Sequence, residues 1–155
     1  MFGNGVIESA WSEPARDALA RLAQRQRGTQ RHRMPVGVIG GKQGVMEAAA
    51  RGAHAAGGCA IGLLPEDDAA LANPYLSVAL PTGLGITRNA LVARASVCLI
   101  AVGGGLGTLS EIALGLQWGK PVFTICGAPQ VAGVECFDEA DRLVARVAQW
   151  LADSA

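Results

Sequence analysis

Short apolar runs alternate with stretches of helical periodicity along most of the chain. The apolar runs predict strands at residues 34–41, 59–65, 75–80, 96–102 and 120–126. The periodic stretches predict helices over residues 12–27, 44–58, 86–95, 107–119 and 138–154. Strands that are apolar on both faces and alternate with helices are typical of a parallel sheet covered by helices on both sides. The pattern therefore predicts an α/β fold with a Rossmann-like, doubly wound parallel sheet.

The length and continuity of the pattern predict one domain spanning residues 1–155, because no linker, repeat or low-complexity segment interrupts it. The N-terminus fits this fold least well. Only Met1 and Phe2 precede a Gly-Asn-Gly turn, where a full apolar strand usually opens such a domain. Three explanations stay open: a very short first strand, a different use of residues 5–9, or a truncated start.

Composition narrows the classes of partner. Half of the residues are hydrophobic, 17% are charged, and Lys plus Arg balances Asp plus Glu at 13 each. A neutral chain lacks the clustered positive charge that nucleic-acid polymers need. Low charge on an apolar small domain favours a homo-oligomer. We also expect a cytoplasmic protein without membrane contact, because the sequence has neither a long apolar segment nor a signal peptide pattern.

The cysteines and histidines do not form a metal-binding pattern. None of the four cysteines is in a CxxC pair, and the chain has only two histidines. We therefore expect no metal site. Apolar surroundings predict that Cys59, Cys98 and Cys126 are buried, reduced thiols.

Two predicted strands end in glycine-rich sequences that lead directly into helices. These are the first glycine loop (residues 40–44, "GGKQG") and the second glycine loop (residues 103–107, "GGGLG"). Glycine permits positive φ and close approach to the backbone. The helix N-terminus that follows offers unpaired N–H groups and partial positive charge to an anion. The residues predicted to bind a phosphate are Gly40, Gly41, Gly44, Gly104, Gly105, Gly107 and the hydroxyl-bearing Thr108.

Simple tight turns are the alternative explanation for these glycines, but two similar junctions in one small domain favour a ligand. Neither junction matches the GxGxxG dinucleotide fingerprint or a P-loop, so we expect no NAD. Glu47 and Glu111 each follow one of the loops. Acidic residues early in a helix can simply stabilise the helix dipole, and this explanation is weaker for Glu111, which adjoins the glycine-rich second loop.

A third segment supplies polar residues to the same end of the predicted sheet. Thr82 and Gly83 follow a strand, and Arg88 and Asn89 begin the next helix. An arginine at this edge can pair with a phosphate or carboxylate. The alternative is a solvated surface arginine. We include all four residues in the predicted ligand site.

Three segments together resemble a known family: "GGKQGVMEAAARGAHAAGG", "NPYLSVALPTGLGITRNALVARAS" and "VGGGLGTLSEIALGLQWGKPV". They are similar to the LOG-like (Lonely Guy, or lysine decarboxylase-like) superfamily, and most similar to its molybdenum cofactor carrier protein branch. The resemblance covers about residues 34–126. It implies a homodimer or larger homo-oligomer, and molybdenum cofactor (molybdopterin) as the bound ligand.

The signature of the hydrolases in this superfamily reads P-G-G-x-G-T-x-x-E, with an Arg-Lys pair upstream. The chain matches it at Arg88 and Glu111 and at the glycines and threonine of the second glycine loop region. It departs from it at Gly103, where the signature has proline, and at Asn89, where it has lysine. Both departures resemble the carrier branch.

Two functions from different classes stay open at this point. The first is a carrier-type binding protein for a small phosphorylated ligand; a binding or sensing module for another nucleotide-like ligand is a variant of it. The second is a phosphoribohydrolase that cleaves the N-glycosidic bond of nucleoside 5′-monophosphates. In that case Arg88 would orient the substrate and Glu111 would act in catalysis. Lysine decarboxylation is not expected, because Lys42 and Lys120 are the only lysines and neither suggests a pyridoxal phosphate site.

Overall fold

A computed structural model of the protein describes residues 36–154. The predicted helix at 12–27 and the N-terminal alternatives lie outside these residues. The strands are β1 (Val36–Ile39), β2 (Cys59–Leu64), β3 (Val78–Pro81), β4 (Leu99–Val102), β5 (Val122–Ile125) and β6 (Glu135–Phe137). The α-helices are α1 (Val45–Ala55), α2 (Asn89–Ala95), α3 (Leu106–Gln117) and α4 (Ala140–Asp153), and a 3₁₀ turn at Gly85–Arg88 leads into α2.

The strands form two parallel three-stranded sheets. The first has the order β1-β2-β3 and the second the order β4-β5-β6, and every strand pair is parallel. Helices connect β1 to β2, β3 to β4 and β4 to β5, and longer loops connect β2 to β3 and β5 to β6. The α/β fold with a parallel sheet is confirmed.

The strands β4 and β5 of the second sheet are buried on both faces, which explains why their sequences are almost entirely apolar. Leu99, Ala101 and Val122 pack in one cluster with Ile112 of α3. Phe123 and Ile125 face the other way, where residues of α4 cover them: Leu143, Val147 and Trp150. Because side chains alternate along a strand, β4 and β5 each contribute side chains to both clusters.

Two details differ from the sequence analysis. The strand β6 was not predicted, because it has only three residues and two of them are exposed. The prediction that Cys126 is buried is wrong: its thiol is exposed. Cys126 follows β5 with φ 58°, so the chain has already turned out of the sheet there. Cys59 and Cys98 are partly buried, and burial raises the pKa of Cys98 to about 11.

Candidate functional site

The carboxyl ends of the strands place the predicted site residues at one edge of the fold. The first glycine loop follows β1, Glu66 follows β2, and residues 82–88 follow β3. Hydrogen bonds tie these loops together: Gly83 donates its N–H to the carbonyl of Glu66 (2.9 Å). In the second sheet Gly103 donates to the carbonyl of Ile125 (2.9 Å). Ligands of open parallel sheets bind at this end of the strands.

Arg88 and Glu111 form an ion pair between the two halves of the molecule. Arg88 follows the first sheet, and Glu111 lies on α3 after β4 of the second. Arg88 Nη1 lies 3.3 Å from Glu111 Oε1, and Arg88 is only 9% exposed. The alternative of a solvated surface arginine is therefore wrong. The structure brings together the two residues that the sequence singled out for catalysis.

Asn89 connects Arg88 to the start of α3. Its Oδ1 accepts a hydrogen bond from Arg88 Nη1 (2.8 Å). Its Nδ2 donates to the carbonyl of Gly107 (3.1 Å) and to Ser110 Oγ (3.0 Å). Asn89 is itself buried. Its side chain therefore holds Arg88 in place, a role that its position in the sequence did not reveal.

The other edge of the Arg88 guanidinium lies against the first glycine loop. A Cβ added at Gly40 would lie 2.5 Å from both Arg88 Nη2 and the sulfur of Met46. Gly40 is therefore required for the arginine to approach. Arg88 Nε is buried and has no hydrogen-bond partner among residues 36–154.

Glu111 occupies a desolvated position that the helix dipole does not explain. The helix α3 begins at Leu106, so Glu111 lies in its second turn, beyond the reach of the dipole. Burial raises the pKa of the Glu111 carboxyl, while the charge and the hydrogen bond of Arg88 act in the opposite direction. Burial disfavours the charged form of a carboxyl group, and here it outweighs the attraction to the arginine.

The backbone of the second glycine loop favours glycine at one position and requires it at the next. Gly103 has φ 59° and Gly104 has φ 110°. The side chain of Thr108 lies directly against Gly104, where any Cβ would collide with it. A Cβ at Gly105 would contact nothing within 4 Å, so this part of the loop faces open space. A Cβ at Gly107 would lie 3.4 Å from Asn89 Nδ2.

The first glycine loop is held by residues that the sequence analysis did not select. Asn73 is buried, and its Nδ2 donates to the carbonyls of Gly41 (3.2 Å) and Lys42 (3.1 Å). Lys42 pairs with Glu66 at 2.5 Å. The hydrogen bond from Lys42 is the main reason that the pKa of the Glu66 carboxyl is lowered. No motif marks these residues in the sequence.

Gly41 and Gly44 differ in what surrounds them. Both have positive φ, 78° and 73°. A Cβ at Gly41 would lie 2.7 Å from Leu64 Cδ2 and 3.1 Å from the Cα of Gly62, so Gly41 is needed for packing. A Cβ at Gly44 would contact nothing within 4 Å, which leaves its surface open.

Thr82 and Gly83 shape the turn after β3. The Thr82 hydroxyl donates to the carbonyl of Leu64 (2.7 Å) and accepts from the N–H of Leu84 (3.3 Å). Gly83 has φ 63°. These contacts give both residues a structural task, and their part in ligand binding stays a prediction.

Comparison with known proteins identifies the family. The profile of the SLOG cluster4 family matches residues 28–150. The chain belongs to the SLOG cluster4 family. An uncharacterized protein of Archaeoglobus fulgidus is 37% identical over 107 residues, which are 69% of this chain and 70% of that protein. The family assignment confirms the LOG-like resemblance.

Two solved structures extend the likeness of this SLOG cluster4 chain over most of its length. The molybdenum cofactor binding protein of Rippkaea orientalis is 28% identical with a TM-score of 0.74, over 92% of this chain and 91% of that one. The molybdenum cofactor carrier protein of Chlamydomonas reinhardtii is 30% identical with a TM-score of 0.72, over 91% of this chain and 90% of that one. These matches confirm the Rossmann-like fold and the expected branch.

Residues 36–154 contain no cluster of three His, Cys, Asp or Glu side chains that would hold a metal ion. Within the same part of the chain, no helix is both long enough and apolar enough to span a membrane.

Proposed function

We propose that this protein is a carrier-type binding protein that holds a phosphorylated ligand, molybdenum cofactor, between the two glycine loops. The structural neighbours named for binding or carrying that cofactor support this choice. The main support for a carrier rather than a hydrolase is the backbone conformation of Gly103, because the hydrolase signature has proline at this position. The cofactor is cargo in this proposal, and its terminal phosphate is the group that the loops would recognise.

Gly103 occupies a conformation that proline cannot adopt. Its φ is 59°, whereas the proline ring fixes φ near about −65°. Its N–H also donates to the carbonyl of Ile125, and proline has no N–H to donate. The signature proline therefore cannot occupy this loop as it stands. Gly103 marks a different path of the chain into the second glycine loop.

The residues present fit a phosphate. Gly105 and Gly44 present open backbone, because a Cβ at either position would have no neighbouring atom within 4 Å. Thr108 has a hydroxyl beside Gly104 that forms no hydrogen bond within residues 36–154. Backbone N–H groups at the start of α3, joined by this hydroxyl, make a suitable set of donors for a phosphate oxygen.

The Arg88–Glu111 pair is the one observation that supports a second function, phosphoribohydrolase activity. The pKa of Glu111 is raised by burial, and a raised pKa is the direction that favours a carboxyl group as general acid. Arg88 would then orient the phosphorylated substrate, and Glu111 would act on the N-glycosidic bond. The carrier remains our conclusion, because the pair is equally suited to holding a ligand without reaction.

One experiment distinguishes the two functions. The protein is incubated with purified molybdenum cofactor and, separately, with a panel of nucleoside 5′-monophosphates, and release of ribose 5-phosphate is measured. We expect saturable binding of the cofactor and no turnover. Turnover that disappears in Glu111→Ala would instead establish the hydrolase. Binding of neither class of molecule would contradict both functions.

We also propose that the protein acts as a homodimer or larger homo-oligomer in the cytoplasm. Large apolar side chains are exposed on the 3₁₀ turn and the adjoining helices: Ile86 is 72% exposed and Leu106 84% exposed. An exposed apolar surface beside polar loops is typical of a protein interface. Sedimentation at micromolar concentration should show a dimer or larger species, and a monomer alone would exclude this assembly.

A further inference from the structure

The Arg88 guanidinium has two edges in different surroundings. On one edge Nη1 donates to Asn89 Oδ1 at 2.8 Å and to Glu111 Oε1 at 3.3 Å. On the other edge Nε is buried without a partner among the described residues, and Nη2 faces Gly40. A buried donor without an acceptor is unfavourable, and Arg88 is nine-tenths buried. This second edge therefore points to an acceptor that residues 36–154 do not supply.

We infer that Arg88 binds the ligand's phosphate side-on through its Nε–Nη2 edge, and that Asn89 is the positioning residue that turns this edge towards the ligand. The inference rests on the proposed function and specifies atoms within that site. The Nε–H and the nearer Nη2–H are parallel donors in a rigid plane, a geometry that matches two oxygens of one phosphate. Loop N–H groups would hold the remaining oxygens.

The Asn89 amide can set the orientation of the Arg88 guanidinium because hydrogen bonds fix the orientation of the amide itself. The carbonyl of Gly107 only accepts hydrogen bonds, so the amide nitrogen of Asn89 must face it. The amide oxygen then faces Arg88, where it engages Nη1. Ser110 holds the same nitrogen from α3. With Nη1 held in this way, the opposite edge is the one left for a ligand. A lysine at position 89 would offer donors only and would repel the guanidinium.

Access to Nε requires a small local movement, and Met46 is suited to provide it. The Met46 sulfur and Arg88 Nη2 both approach the same point beside Gly40. An unbranched methionine changes rotamer easily. A phosphate entering over the first glycine loop would displace this thioether and reach the buried nitrogen.

The first test is a ¹⁵N NMR titration of arginine side chains in the wild-type protein. The Arg88 Nε–H signal is assigned through its side-chain carbons and followed while inorganic phosphate is added, with chloride adjusted to keep ionic strength constant. We expect a saturable downfield shift of Arg88 Nε–H and no comparable shift for Arg94, which stacks on Trp118. If backbone amides of the second glycine loop shift but Arg88 does not, this inference is wrong and the proposed function stands. If neither shifts, both are wrong.

Variants then test the role of Asn89. Asn89→Leu keeps the size of the side chain but removes its acceptor and donors. It should weaken phosphate binding about tenfold and abolish the shift of Arg88 Nε–H, because the guanidinium can rotate. Ser110→Ala removes only one hydrogen-bond partner of Asn89, so we expect about threefold weaker phosphate binding. This milder variant tests the role of Asn89 if Asn89→Leu does not fold. Arg88→Lys should lose about tenfold, and the matched Arg94→Lys should bind normally. An unchanged Nε–H shift in folded Asn89→Leu would show that Asn89 is merely structural.

Discussion

Replacing Gly103 with proline tests the feature on which the choice of function depends. Gly103 opens the second glycine loop with φ 59° and donates its N–H to the carbonyl of Ile125. Gly103→Pro restores the residue of the hydrolase signature. If the loop follows the path seen in the structure, that residue cannot be accommodated without rebuilding the loop.

The expected loss of stability follows from two separate effects. Proline would need a φ about 124° away from the observed one, and the hydrogen bond to Ile125, worth about 1 kcal/mol, would be lost. Gly103→Ala is the matched control, because alanine keeps the N–H and tolerates the left-handed region at a cost of about 1 kcal/mol. For proline we expect about 3 kcal/mol or more, since the loop must leave that region altogether.

Thermal unfolding followed by circular dichroism measures both variants. For a chain of this size about 1 kcal/mol corresponds to about 2–4 °C in Tm. Gly103→Ala should therefore lower Tm by about 2–4 °C, and Gly103→Pro by about 6–12 °C. Equal Tm values for the two variants would show that proline fits this loop, which would remove the argument against the hydrolase.

Three further predictions concern Gly105, the half-buried carboxyl of Glu111, and Lys120, whose side chain binds carbonyls at the C-terminus of α2. Gly105→Val should abolish binding of phosphate-bearing ligands in isothermal calorimetry while Tm stays nearly unchanged, because its side chain would project into open space; unchanged affinity would place the phosphate elsewhere. The raised pKa of Glu111 means that the folded state holds this proton more tightly than the unfolded state. A proton bound more tightly in the folded state stabilises that state at low pH, and this stabilisation is lost as pH rises through the folded pKa. The stability of wild type relative to Glu111→Gln in urea unfolding should therefore fall as pH rises above the ordinary pKa of a glutamate carboxyl. A pH-independent difference would contradict the shift. Lys120 donates to the carbonyls of Ala93, Arg94 and Ser96, so Lys120→Met should destabilise the protein by about 1–2 kcal/mol in the same assay, and a neutral effect would mean that water replaces these contacts.

The fold was readable from the sequence because its signals are local. The run at 96–102 gave β4, and the alternation of apolar runs and helices gave the parallel sheet. The strand β6 was not predicted because it has only three residues, two of them exposed, and so shows no alternation of apolar and polar positions. The prediction that Cys126 is buried was wrong because the residue ends an apolar run, but its positive φ turns the chain out of the core.

The candidate site was readable only in part. The glycine loops, Arg88 and Glu111 stand out by residue type, whereas contacts between distant segments leave no such mark. Asn73 supports the first loop across more than thirty positions of sequence, and nothing in its neighbourhood indicates this. Asn89 was selected as a ligand residue, yet its partners are Arg88 and α3. Such roles depend on which loops meet, which is a property of the assembled fold.

The position of Arg88 and Asn89 between the two sheets has a consequence for cooperativity. Among the described residues no strand of one sheet pairs with a strand of the other, so contacts such as Arg88–Glu111 and Asn89–Gly107 join the halves. A ligand held by both glycine loops would add a bridge across the same boundary. Amide protons in both sheets would then exchange more slowly when the ligand is bound. Ligand binding at this edge would thus also strengthen the boundary between the two sheets.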